Sequence, residues 1–213
     1  MGEGAPFDPA CRRCLRLAAF LDVVRKHHPD YHCAPVPPFG SARHRLLVVG
    51  LAPGKHGANR TGRPFTGDAA GILLYRTLHA YGFATRAESV SRDDGLQLRD
   101  CRITNAVKCL PPGNKPLPAE ARECNRYLIA ELDALPASAV VVAIGGIAHA
   151  SILRALGMKP SQARFDHGAE HRLSDGQQLL DTYHCSQLNT RTGRLTAAMF
   201  DAVFARARHL LDA

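Results

Sequence analysis

Nowhere in the 213 residues is there an apolar run of about 18, so no helix is expected to cross a membrane. The opening segment, MGEGAPFDPACRRC, lacks the apolar stretch of a secretory signal, which makes the cytoplasm the expected location. Internal repeats and low-complexity tracts are absent. So are the glycine spacings of dinucleotide-binding and P-loop motifs: GLAPG at 50–54 follows a predicted strand but fits neither pattern. Acidic side chains are the scarce class. Nineteen Asp and Glu stand against 27 Lys and Arg, a net charge of +8. That excess favours a polyanionic partner such as nucleic acid over an acidic surface of the protein's own making. Seven cysteines, an odd number in a chain with no export signal, argue for metal ligands or free thiols and against disulfides.

What is present is the pattern of an α/β domain. Hydrophobic residues make up 46% of the chain, enough for one globular domain over residues 1–213 with a sizeable core. Residues 1–44 read as an N-terminal arm. Within it Leu17, Phe20, Leu21 and Val24 predict a helix over 16–26, and a Pro-rich surface loop follows at 34–39. Beyond the arm, short apolar strands are predicted at 45–50, 101–109, 140–144 and 179–183. Helices alternate with them, from Asp68, over 119–134, over 146–156 and over 195–211. Apolar runs of about five residues alternating with helices indicate a mainly parallel sheet covered on both faces. Sites in such sheets lie beyond the carboxyl ends of the strands. Here those ends carry GLAPG, the segment around Asn105, GGIAH and YHCSQLN.

Two features point to chemistry before any likeness is considered. Cys11 and Cys14 form a C-x-x-C pair, and Cys109 and Cys124 form a second pair far along the chain. Four thiolates suit zinc or an iron–sulfur cluster, and the spacing does not choose between them. Cys33, Cys101 and Cys185 read as core or surface thiols. Asn105 sits inside a predicted strand, where Asn is disfavoured. A satisfied buried amide is the alternative to a ligand contact there. Asp68 is the only carboxylate of GRPFTGD and is equally well read as a helix N-cap.

Four segments taken in order resemble the uracil-DNA glycosylase superfamily in its cluster-containing microbial branches. They are GLAPG at 50–54, GRPFTGDAAG at 62–71, ITNAVKCLPPGNKP at 103–116 and YHCSQLNTRTGRLT at 183–196. HGANRTGRPFTGD and NTRTGRLT are similar to the B-type (fifth) family specifically. The resemblance implies a three-layer α/β/α sandwich with a central, mainly parallel four-stranded sheet. It implies a [4Fe–4S] cluster on Cys11, Cys14, Cys109 and Cys124. It also implies a monofunctional glycosylase that removes uracil, and other deaminated or modified bases, from damaged DNA, double-stranded and also single-stranded. Such an enzyme is expected to be a monomer that meets the nucleoid through DNA. The competing reading is a nucleic-acid-binding module that kept the fold and lost catalysis; an iron–sulfur electron carrier lacks a flavin or nicotinamide motif to support it.

The resemblance assigns roles residue by residue. His184 is the donor to the oxygen on which charge grows, and Asp68 holds the attacking water. Asn105 reads the pyrimidine edge, since its amide offers one donor and one acceptor. Phe65 is the stacking platform, and the backbone of Gly50, Leu51, Ala52 and Gly54 approaches the base. By position, Arg60, Arg63, Ser186, Asn189, Arg191 and Arg194 are candidate DNA contacts and Leu188 a candidate to enter the stack in place of the flipped base; a solvated charged surface and a packed Leu are the alternatives. Two positions depart from the wider superfamily. Leu51 stands where many relatives carry an acid, a lack typical of the B-type family. Cys185 stands where relatives usually have Pro, which removes a fixed φ from the loop that bears His184.

Overall fold

In the computed structural model, which describes residues 3–174 and 176–213, the chain forms six strands and seven α-helices. Strands β1 (Phe39–Gly40), β2 (Leu46–Gly50), β3 (Cys101–Asn105), β4 (Val140–Ile144), β5 (Glu170–Arg172) and β6 (Gln178–Thr182) make one sheet in the order β1-β3-β2-β4-β6-β5. The middle four, β3-β2-β4-β6, run parallel and are the four strands expected from the apolar runs. Two short antiparallel strands, β1 and β5, extend the sheet at its edges. These escape the apolar pattern for a physical reason. Edge strands are short and half-solvated, so Phe39–Gly40 and the polar Glu170–Arg172 have no alternation to display.

The central strands are apolar because both their faces are covered. All five residues of β2 and all five of β4 are buried. Leu46, Val48, Val140, Val142 and Ile144 point to one side, where α3 (Ala69–Ala80) and α7 (Ala197–Asp212) supply Leu74, Leu78, Phe200 and Phe204. Leu47, Val49, Val141 and Ala143 point to the other, where α4 (Pro118–Asp133) and α5 (Gly146–Ala155) supply Leu128, Leu132 and Ile152. The result is a three-layer α/β/α sandwich. Truncating a side chain such as Leu47 to Ala costs about 2–5 kcal/mol in cores of this kind.

The first 44 residues are more than a surface wrapping. Helix α1 (Leu15–His27) buries Leu17, Leu21 and Val24 against Val107, Leu110 and α4. Val36 is buried in what reads as a Pro-rich loop, its N–H donating to the Lys108 carbonyl at 2.7 Å, and the loop ends in β1. Salt bridges from Arg13 to Glu123 and from Arg16 to Glu120 hold α1 to α4. The remaining short helices, α2 (Ala58–Thr61) and α6 (Gln187–Arg191), lie in segments that read as loops.

Candidate active site

A cavity of about 640 Å³ opens over the carboxyl ends of β2, β3 and β6. Leu51, Ala52 and Gly54 from the loop after β2 line it, with Phe65 and Asp68 before α3, Asn105 at the end of β3, and His184 and Ser186 after β6. The residues quoted from four separate segments therefore converge on one hollow. Parallel strands place their carboxyl ends on the same side of the sheet, so this convergence follows from topology.

Close packing at the floor depends on Gly50. A methyl group there would lie 2.5 Å from Asn105 Oδ1 and 2.6 Å from Phe65 Cε2, so any larger residue would push these two side chains aside. Gly50 is thus beneath the cavity, not on its wall. Asn105 is 3% exposed, and among the described residues its side-chain amide has no hydrogen-bond partner. Phe65 is held at φ +53°, in the left-handed region that non-glycine residues rarely occupy. Its ring lies near-parallel to His184, with centroids 6.4 Å apart and planes at 27°. Strain of this sort persists only where surrounding structure enforces it, and here Tyr75 donates its hydroxyl proton to the Pro64 carbonyl at 2.8 Å.

Asp68 has both of the roles open to it in the sequence. It is the N-cap of α3, with Oδ1 accepting from the Gly71 N–H at 3.1 Å. Oδ2 turns the other way, 3.2 Å from where a side chain on Gly54 would begin and in the space a side chain on Gly57 would fill. It is the one carboxylate among the described residues lining the cavity. Leu51, also on the wall, contributes no acid.

Burial lowers the His184 pKa below the ordinary histidine value of 6.5, with the Asp68 charge opposing the shift. Burial thus favours the neutral ring. Its Nδ1 is buried with no hydrogen-bond partner. The backbone carbonyl of His184 accepts from Asn189 Nδ2 at 2.8 Å, and Ser186 caps α6 by accepting from the Asn189 N–H. Asn189 and Ser186 thereby hold the loop that bears His184. Cys185 is buried in the main core, and its thiol donates to the Ala70 carbonyl at 3.5 Å. Burial, with Asp68 nearby, pushes the Cys185 thiol up to about 12, so it is not a nucleophile.

One expected DNA contact is corrected. Arg63 is 4% exposed, with its guanidinium donating to Asp94 and Ser89 and stacked 4.4 Å over Phe39. A side chain buried and ion-paired inside the fold cannot reach a phosphate. Arg60, Arg191 and Arg194 are exposed, and so is Leu188, 72% exposed on α6 beside the cavity. Lys55, His56, Asn114 and Gln187 also line the cavity and escaped the sequence reading. Lys55 and His56 directly follow GLAPG and Gln187 directly follows HCS, so adjacency to a strand-end motif was the available signal.

Outside the cavity, Cys11, Cys14, Cys109 and Cys124 line one small hollow with Leu17, Ala18, Val107 and Tyr127. Burial is the largest cause that raises the pKa of Cys109, to about 12, and of Cys14, to about 11; the neighbouring thiols add to it. Four thiolates in an apolar pocket are stable only around a cationic centre, and the Lys108 N–H already points at Cys124 Sγ, 3.2 Å away. The donor set and its surroundings fit a thiolate-held iron–sulfur cluster. Cys33 and Cys101 are buried and do not line this hollow; Cys101 lies in the main core and Cys33 beside Leu21, Val24 and Leu110.

The chain matches the Uracil DNA glycosylase superfamily over residues 37–208. It is 48% identical over 206 residues to a type-5 uracil-DNA glycosylase of Thermus thermophilus, covering 94% of each chain. It is 45% identical over 208 residues to the type-5 uracil-DNA glycosylase of Mycobacterium bovis, covering 94% of this chain and 78% of the relative. Similarity to a type-4 uracil-DNA glycosylase of Thermotoga maritima is lower, 31% over 150 residues, covering 70% of this chain and 68% of the relative.

Proposed function

The chain belongs to the uracil-DNA glycosylase superfamily, and from that membership we propose how its own residues remove uracil from DNA. The protein is a monofunctional glycosylase of DNA repair, hydrolysing the bond between C1′ and the base. The base must leave the stack to be reached. As the bond breaks, negative charge grows on the pyrimidine and positive character on the sugar, and catalysis lies in groups that meet those charges.

The observation that carries the assignment of roles is the single lining carboxylate, Asp68, set with His184, Asn105 and Phe65 around one cavity. Phe65 stacks on the flipped base. Asn105, with no partner among the described side chains, gives its amide to the O4 and N3–H edge. A neutral His184 has no acceptor for a proton on Nδ1, so its proton belongs on Nε2, from which it donates to the pyrimidine oxygen that gains charge. Asp68 keeps Oδ1 on the helix and uses Oδ2 to hold and orient water toward C1′. Leu51 leaves this task to Asp68 alone. Leu188 fills the vacated stack, and Arg60, Arg191 and Arg194 contact phosphates.

Cys11, Cys14, Cys109 and Cys124 would hold a [4Fe–4S] cluster. Bound there, it would brace the fold by joining the approach to α1 to the exit of β3 and to α4; the residues that would hold it share no lining residue with the cavity. The enzyme acts as a cytoplasmic monomer on double-stranded DNA, with single strands and other deaminated bases as further substrates. The deciding test is incubation with U·G, U·A, hypoxanthine-containing and single-stranded oligonucleotides, then alkali. Strand breaks at uracil in duplex DNA are expected. Tight binding without breaks would instead identify a module that recognises damage without removing it.

A further inference from the structure

Across the sheet from the cavity, three residues from three elements meet: His149 on α5, His171 on β5 and Asp181 on β6. None of them lines the cavity. One nitrogen from each histidine and one oxygen from the aspartate all lie within 4.8 Å of one another. Asp181 is fully buried, its side chain 0% exposed, and burying an isolated carboxylate is costly unless a positive partner neutralises it.

The hydrogen bonds define what that partner must be. His149 Nε2 lies 3.0 Å from the Ala163 carbonyl, which only accepts, so the ring carries its proton there. Nδ1 then faces Asp181 Oδ1 at 2.8 Å with its lone pair, and a cation is required between them. A second proton on His149 satisfies this pair. It leaves a second His–Asp contact without hydrogen-bond geometry, however. Asp181 Oδ2 and His171 Nε2 are both buried without a hydrogen-bond partner, and they face each other at 3.4 Å. That separation is the one two ligands adopt around a tetrahedral ion with bonds of about 2.0–2.2 Å. A histidine whose far nitrogen donates to a backbone carbonyl is also the usual arrangement of a metal ligand, because that bond fixes the tautomer and the ring.

We propose that His149 Nδ1, His171 Nε2 and Asp181 form a binding site for a divalent transition-metal ion of the zinc class, with solvent as the fourth ligand. Two imidazoles and a carboxylate select such an ion over magnesium or calcium, which take oxygen ligands. The ion replaces the second proton on His149. It enters past His171, the one ligand with appreciable exposure, 18% for its side chain. Its effect is to pin the edge strand β5 and helix α5 to β6, three residues before His184.

The test is titration of the protein as isolated with zinc chloride, by calorimetry and by thermal unfolding, alongside His171→Ala and His149→Gln. His171 lies on an edge strand, so its truncation leaves the main core intact, and the unfolding midpoint without zinc checks this. The wild type is expected to bind one more equivalent than either variant. Its Tm is expected to rise by roughly 5–10 °C at a hundredfold excess over the dissociation constant, a rise both variants lose. Zinc held at the four cysteines is common to all three proteins and cancels in the difference. Equal uptake and an equal Tm shift in all three would overturn the site.

Discussion

At the scale of single residues, side chains that perform chemistry and those that only support it look alike in the sequence and separate in the structure. Asp68 is a helix cap by one oxygen and a cavity ligand by the other. Asp68→Asn keeps the capping oxygen and a polar group for water. It is therefore expected to retain part of the single-turnover rate, whereas Asp68→Ala loses the rate and also about 1 kcal/mol of stability from the missing cap. Comparing the two variants by rate and by denaturant unfolding checks both halves. His184 titrates below 6.5 because burial disfavours its charge. The folded state thus binds fewer protons than the unfolded state once pH falls below that value. Stability from this group is full above about 6.5 and is lost as pH drops through the lowered folded value. Excision should accordingly hold level from pH 8 through 6.5 and decline only below it; a decline centred at or above 6.5 would contradict a neutral donor. Arg63 illustrates what the sequence conceals. Its neighbours in GRPFTGD read as a site, but its partner Asp94 lies 31 residues away, and no local pattern reveals a buried ion pair of that span.

At the scale of elements, the loop around Asp94 supports the segment that carries Phe65 and Asp68. Asp94 accepts from the N–H groups of Val90 and Leu96 at 2.9 Å as well as from Arg63 at 2.7 Å. Burial alone would raise its pKa, but Arg63 and the backbone donors outweigh that and hold it at about 2. Removing one partner of a buried pair costs about 3–5 kcal/mol, so Asp94→Asn should lower unfolding stability by an amount in that range at neutral pH. The stabilisation is present above 3.8 and is lost as pH falls toward 2, so the gap between the wild type and Asp94→Asn should narrow over that interval. The parallel strands were legible because a strand buried on both faces is a continuous apolar run, as Val140–Ile144 shows. The edge strands and α6 were not. Gln187–Arg191 has no apolar face, and its helix is set by the Ser186 cap and not by periodicity.

At the scale of the whole molecule, the sheet gathers polar residues at one end while α1, α4 and the cysteines close the flank. If Cys11, Cys14, Cys109 and Cys124 hold an iron–sulfur cluster, anaerobically prepared protein is brown, Cys109→Ser loses the colour, and Cys33→Ser keeps it. A colourless wild type containing zinc would contradict this. Each phosphate contact by the surplus of Lys and Arg releases counterions, so affinity for abasic-site duplex should fall steeply with salt. The fold class and the cavity residues Leu51, Phe65, Asp68, Asn105 and His184 were legible because the strand-end segments each carry an irregular motif. Their mutual geometry was not, since it depends on contacts such as Gly50 beneath Phe65 and Asn105. The central claim is that this cavity performs the excision, with His184 acting in the transition state. It is tested most directly by the single-turnover rate of His184→Ala on a U·G duplex, measured beside duplex affinity. The rate is predicted to fall by about 10²–10³ with affinity little changed; cleavage at the parent's rate would place the active site elsewhere.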